Sequence, residues 1–334
     1  MALATKQLGV DGPRVSALGL GCMGMGKSSA YGGNDPAEGI RTINAAVAAG
    51  VTLLDTGDFY GMGQNELLVR RALEEMGPGG REKVVLSVKF GAQRAPDGSW
   101  VGFDSRPATV KHALAQSLSK LGVDYIDIYR PARLDPAVPI EETVGAIAEM
   151  VAQGYVRHIG LSEMSAETAK KAKAVAPICD MQLEYGLATR VIEAKVLPGL
   201  RELGVGVTAY GVLSRGLLTG SVPQETGDFR KRLPRFSGEN WETNRTLAEA
   251  LAGLAAERGV TAAQLAIAWV LAKGDDIVPV VGSRTVAQIE AALAAMELTL
   301  TEEEIAVLER SVPAEQIAGT RYDKHAMAAL DSER

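Results

Sequence analysis

The chain has 334 residues, 46 % of them hydrophobic and 23 % charged, with 35 basic against 41 acidic side chains and a formal charge of −6. That balance belongs to a folded globular protein and excludes a disordered scaffold, while the acidic excess argues against a nucleic-acid binder, which needs a clustered cationic face. Two cysteines, Cys22 and Cys179, cannot make a disulfide framework, and no secretory h-region or apolar run of membrane-spanning length is present, so a cytoplasmic protein without a membrane partner is expected.

LATKQLG and RVSALG flank Val10-Asp11-Gly12-Pro13, a turn signal, and predict an N-terminal hairpin. Eight short runs rich in β-branched residues or Leu follow, at 17–22, 51–55, 84–89, 125–129, 156–162, 178–182, 205–210 and 277–283. None alternates apolar with polar, as befits strands buried on both faces. Helical spacing fills the intervals. Asp35-Pro36-Ala37-Glu38 supplies an N-cap, a proline at the first helical position and a capping-box Glu, and Thr261 to Gln264 and Thr301 to Glu304 repeat the device. Further helices are predicted over 66–75, 108–120, 140–153, 166–175, 193–203, 243–258 and 287–296, with Gly50, Gly154, Gly204 and Gly274 as stops. Eightfold strand–helix alternation without a linker predicts one domain over 1–334. It is an α/β chain forming a (β/α)8 TIM barrel, with an N-terminal β-hairpin and extra C-terminal helices.

Two glycine patterns invite a phosphate reading. Gly19-Leu-Gly21-Cys-Met-Gly24 fits G-x-G-x-x-G, and Gly21 to Ser28 fits the P-loop pattern. Both need a helix to begin at the motif, so that its free N–H groups meet the phosphate. Here Gly32-Gly33 and Asp35-Pro36 oppose a helix, and the first cap comes at Asp35. A Gly-rich loop over the barrel mouth is the better reading.

Barrel enzymes carry their reactive groups at the C-terminal ends of the strands. In chain order those ends are Cys22, Asp55, Lys89, Ala132, Ser162-Glu163, Gln182, Tyr210 and Ser283-Arg284. Asp55 and Lys89 are an ion pair that is costly to bury and seldom present for stability alone. Tyr60 follows Asp55 by five residues. A tyrosine beside a lysine cation is expected to have its hydroxyl pKa lowered toward neutrality, which suits a proton donor. The plain alternative makes Asp55 a cap, Lys89 a snorkelling side chain and Tyr60 loop packing.

With these residues the chain resembles the aldo-keto reductase family along nearly its whole length. The carrying stretches include LGLGCMGM, TLLDTGDFYGMGQNE, VVLSVKF, VRHIGLSE, MQLEYGL, TAYGVLSRGLLTG and VPVVGSRTVAQIEAAL. The resemblance implies NADPH as cofactor and a small carbonyl compound as substrate. It implies hydride transfer to the carbonyl carbon while Tyr60 protonates the oxygen, tuned by Lys89 and Asp55. It also implies that Tyr210 stacks on the nicotinamide, that Ser162, Gln182 and Glu163 surround the carboxamide, and that Gly21, Cys22 and Met23 line the same end. Leu213, Arg215, Gly216 and Leu218 would follow the pyrophosphate, and Ser283, Arg284 and Gln288 the adenosine 2′-phosphate. No metal site is implied.

The chain departs from the family where a fourth catalytic residue, a His, is expected. Tyr129-Arg-Pro-Ala132-Arg-Leu-Asp135-Pro136 has Ala132 at that place, and His112, His158 and His325 read as packed or solvated. A water relay, charge from Arg130, or slow turnover are the three outcomes left open. Ala291-Ala292 replaces the Glu-Asn that reaches the adenine in relatives, and Gly211-Val212 replaces Ser-Pro. Phe59, Trp100, Ala132 and Trp241 are the expected substrate walls, with Met62, Phe229, Phe236 and the tail Arg321-Tyr322 as further candidates, while Arg230-Lys231-Arg232 and Arg235 read as solvated. Three functions compete: a carbonyl reductase, an NADPH-binding regulatory protein with vestigial activity, and a P-loop hydrolase.

Overall fold

The computed structural model describes residues 3–27, 31–223 and 227–333. Each of the eight β-branched runs forms a strand: β3 (Gly19–Gly21), β4 (Leu53–Gly57), β5 (Val85–Phe90), β8 (Ile126–Pro131), β9 (Val156–Ser162), β10 (Ile178–Glu184), β11 (Gly206–Tyr210) and β12 (Ile277–Gly282). They close into a parallel barrel in the order β10-β11-β12-β3-β4-β5-β8-β9. Before them, β1 (Thr5–Gln7) and β2 (Arg14–Ser16) pair antiparallel as the expected hairpin.

The helices between strands are α1 (Pro36–Ala48), α2 (Gln64–Glu75), α3 (Pro107–Leu121), α4 (Ile140–Ala152), α5 (Ala166–Val175), α6 (Val196–Glu202), α7 (Gly238–Glu257) and α8 (Ala262–Ala272). After β12 come α9 (Val286–Ala294), α10 (Glu302–Ser311) and a short α11 (Lys324–Ala328). The capping boxes at Thr261–Gln264 and Thr301–Glu304 form in full. Asp35 caps α1 by accepting from Ala37 N, but Glu38 does not close a box. Its carboxylate instead accepts from Val286 N, at the start of α9, and from Arg41. A tertiary donor outcompetes the local one.

Two further differences from the sequence reading appear. The stretch after β5, to which the sequence assigned no element, holds β6 (Ala92–Arg94) and β7 (Trp100–Phe103), paired as a small antiparallel hairpin. The helix predicted from residue 193 starts at Val196, after a separate 3-10 turn at Val191–Glu193. No described helix begins between Gly21 and Pro36, which removes the structural condition for either phosphate motif; Ser28 of the P-loop match lies outside the described residues. Among the described residues no single helix is long and apolar enough to cross a membrane.

The N-terminal hairpin seals one barrel end. Leu8 and Val15 enter an interior cluster with Leu53, Ile128, Cys179, Val278 and Val280. Lys6 Nζ donates to the carbonyls of Leu271, Gly274 and Ile277, at 3.4, 2.8 and 3.0 Å. Gly9 has φ +60°, and a Cβ there would lie 2.3 Å from Cys179 O, so the turn needs glycine to seat this close. The opposite end, where the strands finish, carries the candidate site.

Candidate active site

Above the apolar floor lies a polar layer that periodicity cannot foresee. Arg130 on β8 is fully buried; Nη1 donates to Asp180 Oδ2 at 2.9 Å and to Thr208 Oγ1 at 3.2 Å, and Nη2 donates to Ser87 Oγ at 3.0 Å. Space for this guanidinium comes from Gly160, where a Cβ would lie 2.6 Å from Asp180 Oδ1 and 3.1 Å from Arg130 Cζ. Arg130 is therefore committed inside the barrel. It is not free to stand in for the imidazole expected at position 132.

Ser87 passes the network upward. Its hydroxyl accepts from Arg130 and donates to Asp55 Oδ2 at 2.9 Å, and Gln182 Nε2 donates to the same oxygen at 2.8 Å. Asp55 Oδ1 receives Lys89 Nζ at 2.5 Å, with Asp55 only 5 % and Lys89 only 4 % exposed. The parallel register of β4 and β5 sets Asp55 against Ser87, with Lys89 two residues further along β5. Lys89 also faces the Tyr60 ring, 4.9 Å from its centroid. Tyr60 opens a 3-10 turn, Tyr60–Gly63, in which Gly61 and Met62 both have φ +56°. Phe59 packs edge-on against it at 4.7 Å.

Titration behaviour corrects one expectation. Burial first, and the Asp55 charge next, push the Tyr60 hydroxyl well above its ordinary value, while Arg133 works in the other direction. Burial lowers the Lys89 ammonium, with Asp55 opposing. Lys89 spends its charge on Asp55 and meets the face of the phenol ring, so the anticipated lowering of Tyr60 does not occur. Cys22, buried beside this pair, has its thiol pushed up to about 12 by burial and by Asp55.

Ala132 follows directly on β8 and is buried, with its N–H donating to Phe90 O. The three histidines lie elsewhere. His112 is on the exposed face of α3, His158 Nδ1 contacts Asp11 O on the N-terminal hairpin, and His325 is in α11. The group that does reach the mouth is Arg133, which the sequence reading missed. Its Nη1 donates to Ala132 O at 2.6 Å and Ser162 Oγ at 3.4 Å, and Nη2 reaches Tyr322 OH at 3.5 Å.

A second buried polar cluster ties the tail to the mouth. Glu163 (φ +53°) accepts both Nη groups of Arg321, at 3.1 and 2.8 Å, as well as Glu184 N and Ser332 Oγ. The nearby guanidiniums, Arg321 foremost, outweigh burial and hold its carboxyl well below the usual range. Glu184 meets Arg215 at 3.0 Å and Arg235 at 3.5 Å. Arg230 pairs with Asp228 at 2.6 Å. Arg230 and Arg235 are buried ion-pair members, correcting the solvated reading, whereas Lys231 and Arg232 are exposed. Tyr322 links the parts: its hydroxyl accepts from Arg215 Nη2 at 2.6 Å and lies 3.3 Å from Tyr210 OH.

The remaining candidates ring the same end. Cys22 N donates to Asp55 O, and Asn65, itself bonded to Thr56, donates to Cys22 O, pinning the backbone from Gly21 through Met23. Leu213 precedes the 3-10 turn Ser214–Thr219, where Ser214, Arg215 and Gly216 adopt φ +49°, +58° and +89°, and Leu218 is buried. Arg284 N donates to Gln288 Oε1 at 2.7 Å, while Arg284 Nη1 makes only a 3.4 Å contact with Tyr31 O. Of the expected substrate walls, Phe59 and Ala132 lie at the mouth and Trp241 stacks on Phe236 in a cluster that includes Tyr322. Trp100 is 41 % exposed and packs instead on Phe103 and Arg94. No group of three or more His, Cys, Asp or Glu among the described residues is placed to hold a metal ion.

The family model "Aldo/keto reductase family" matches residues 17–312. The chain belongs to the aldo/keto reductase family. It is 40 % identical over 324 residues to "Probable aldo-keto reductase 1" of Glycine max, covering 95 % of this chain and 91 % of that one. Among solved structures it is similar to a glycerol dehydrogenase of Gluconobacter oxydans (TM-score 0.83, 30 % identity, 96 % and 98 % of the two chains covered). A holo aldo-keto reductase of Bacillus halodurans gives a TM-score of 0.77 at 29 % identity, over 97 % and 99 % of the two chains. The protein is accordingly an oxidoreductase of a family that uses nicotinamide cofactors and acts on small carbonyl compounds.

Proposed function

We propose that the protein reduces an aldehyde or ketone with NADPH, and that Tyr60 supplies the proton. The observation that carries this reading is the buried Asp55–Lys89 pair with Lys89 against the Tyr60 ring. The residues around the mouth also suit the cofactor. Ser214 Oγ and Ser283 Oγ are buried without a hydrogen-bond partner among the described residues, a costly state that phosphate oxygens would relieve. Beside Ser283, Arg284 has no carboxylate within 4.0 Å among the described residues, leaving its planar fork for a 2′-phosphate.

In this assignment Ser283, Arg284 and Gln288 hold the adenosine end and the turn from Leu213 through Leu218 follows the pyrophosphate. Gly21, Cys22, Met23, Ser162, Glu163, Gln182 and Tyr210 surround the nicotinamide. The cofactor supplies the hydride. Tyr60 stays protonated across the neutral range because its hydroxyl is raised, so the donor is always loaded. It can still yield the proton, since an alkoxide is more basic than a phenolate. Asp55 fixes Lys89, and Ser87 and Gln182 fix Asp55.

Tyr60→Phe should lower turnover about 10²- to 10⁴-fold while NADPH binding, followed by nucleotide fluorescence, persists. Unchanged turnover would sink the assignment. A regulatory reading with vestigial activity draws on one feature, the methyl of Ala132 where the family resemblance implies an imidazole. NADPH binding without oxidation across a panel of reactive aldehydes and quinones would favour it.

A further inference from the structure

The charges at the mouth do not pair off completely. Asp55 takes Lys89, Glu163 takes Arg321, and Glu184 takes Arg215 and Arg235. Arg133 has no carboxylate within 4.0 Å among the described residues. Its contacts are one neighbouring carbonyl, one hydroxyl at 3.4 Å and one at 3.5 Å. The charge of Glu163 is felt by Arg133, yet its oxygens already accept from Arg321, Glu184 N and Ser332. A half-buried guanidinium with donors to spare and no ion-pair partner among the described residues has hydrogen-bonding capacity left for an anion. Its place is specific: it follows Ala132 at the end of β8, and its charge is felt by both Tyr60 and Lys89.

We propose that Arg133 is a substrate-specificity residue that seats the carboxylate of a 2-oxo acid, so that the preferred substrate carries an anionic group next to the carbonyl that Tyr60 protonates. A planar fork suits two neighbouring oxygens, one of the carboxylate and one of the ketone, and a methyl at position 132 leaves that side to Arg133. The inference rests on the reductase reading. The reaction balances as 2-oxo acid plus reduced nicotinamide cofactor plus one proton giving 2-hydroxy acid plus oxidised cofactor. The C=O π bond breaks, a C–H bond forms from hydride, and the oxygen takes the Tyr60 proton, which solvent then restores. Tyr322 OH, the longest of the Arg133 contacts, is the one the anion displaces.

The test compares phenylglyoxylate with its neutral methyl ester, using wild type, Arg133→Gln and Arg133→Lys. Wild type should favour the acid in kcat/KM by about 10- to 100-fold, the range of one charge-assisted pair. In Arg133→Gln that ratio should fall toward one, mainly through a raised KM for the acid, and Arg133→Lys should keep part of it. Calorimetric titration of phenylglyoxylate into the protein with excess NADP⁺ present, where no hydride is available, should show the same loss of affinity in Arg133→Gln. A wild-type preference for the ester overturns the proposal. So does an acid preference that survives in Arg133→Gln. Arg133-dependent binding with no reduction of either compound would leave the anion seat standing and bring down the reductase reading instead.

Discussion

The two ends of the barrel are built on opposite principles. At the floor, Leu8 and Val15 fill a dry cluster, and the Lys6 ammonium is saturated by three carbonyls. At the mouth are found all four non-glycine residues with positive φ among the described residues, Met62, Glu163, Ser214 and Arg215, together with the hydroxyls of Ser214 and Ser283, which have no partner among those residues. Backbone strain of this kind costs about 1–3 kcal/mol per residue and persists only where the surroundings enforce it. The floor is satisfied by the chain alone, whereas the mouth is left incomplete toward a ligand.

Substitutions should separate the two ends. Asp55→Asn should cost about 10²- to 10³-fold in kcat, second only to Tyr60→Phe, because Lys89 loses the partner that places it; a steady-state assay on the folded fraction reads this directly. Leu8→Ala should instead cost about 2–5 kcal/mol of stability by opening a cavity, seen in denaturant melts, with kcat/KM of the folded protein little changed. A Leu8 variant that lost turnover but kept its stability would erase the distinction between floor and mouth.

Asp58 offers a pH-dependent contrast. Burial, and then the fully buried Glu66, raise its carboxyl to about 7, against donors from Gly91 N and Phe59 N. Lys120 on α3 stands 3.6 Å from Glu66, too engaged there to neutralise both. The folded state therefore holds a proton that the unfolded chain releases near pH 4, so stability declines as pH rises from about 4 to 7 and then levels off. Asp58→Asn should remove this decline. Its melting temperature should exceed that of wild type above pH 7.5, and the gap should narrow toward pH 5. The smallest effect is expected at Ser283→Ala, about a fivefold weaker NADPH affinity with no loss in melting temperature. A destabilised Ser283 variant would show that its hydroxyl is satisfied by the fold after all.

Much of the architecture was legible because its signals are local. Buried parallel strands advertise themselves as unbroken apolar runs, and Thr261 and Thr301 announce helix starts within four residues. The D-T-x-x-x-Y spacing likewise keeps Asp55 and Tyr60 near one strand end. Less was visible where partners are remote. Glu38 looked like a local cap and serves α9 instead. Arg130 looked available for catalysis until Asp180, fifty residues on, claimed it. Arg133 gave no local signal at all, because what singles it out is the absence of an ion-pair partner among the described residues in three dimensions.

Sequence by itself determined the strand–helix alternation, the hairpin at the start and the identity of the residues at the strand ends, since each depends on periodicity or capping within a few positions. Tertiary structure alone decided which charge meets which. Glu163 joins Arg321 across 158 residues, and Lys89 reaches Asp55 rather than the Tyr60 hydroxyl. Electrostatic partnership depends on distance and burial after the barrel closes, and neither quantity is written in chain order.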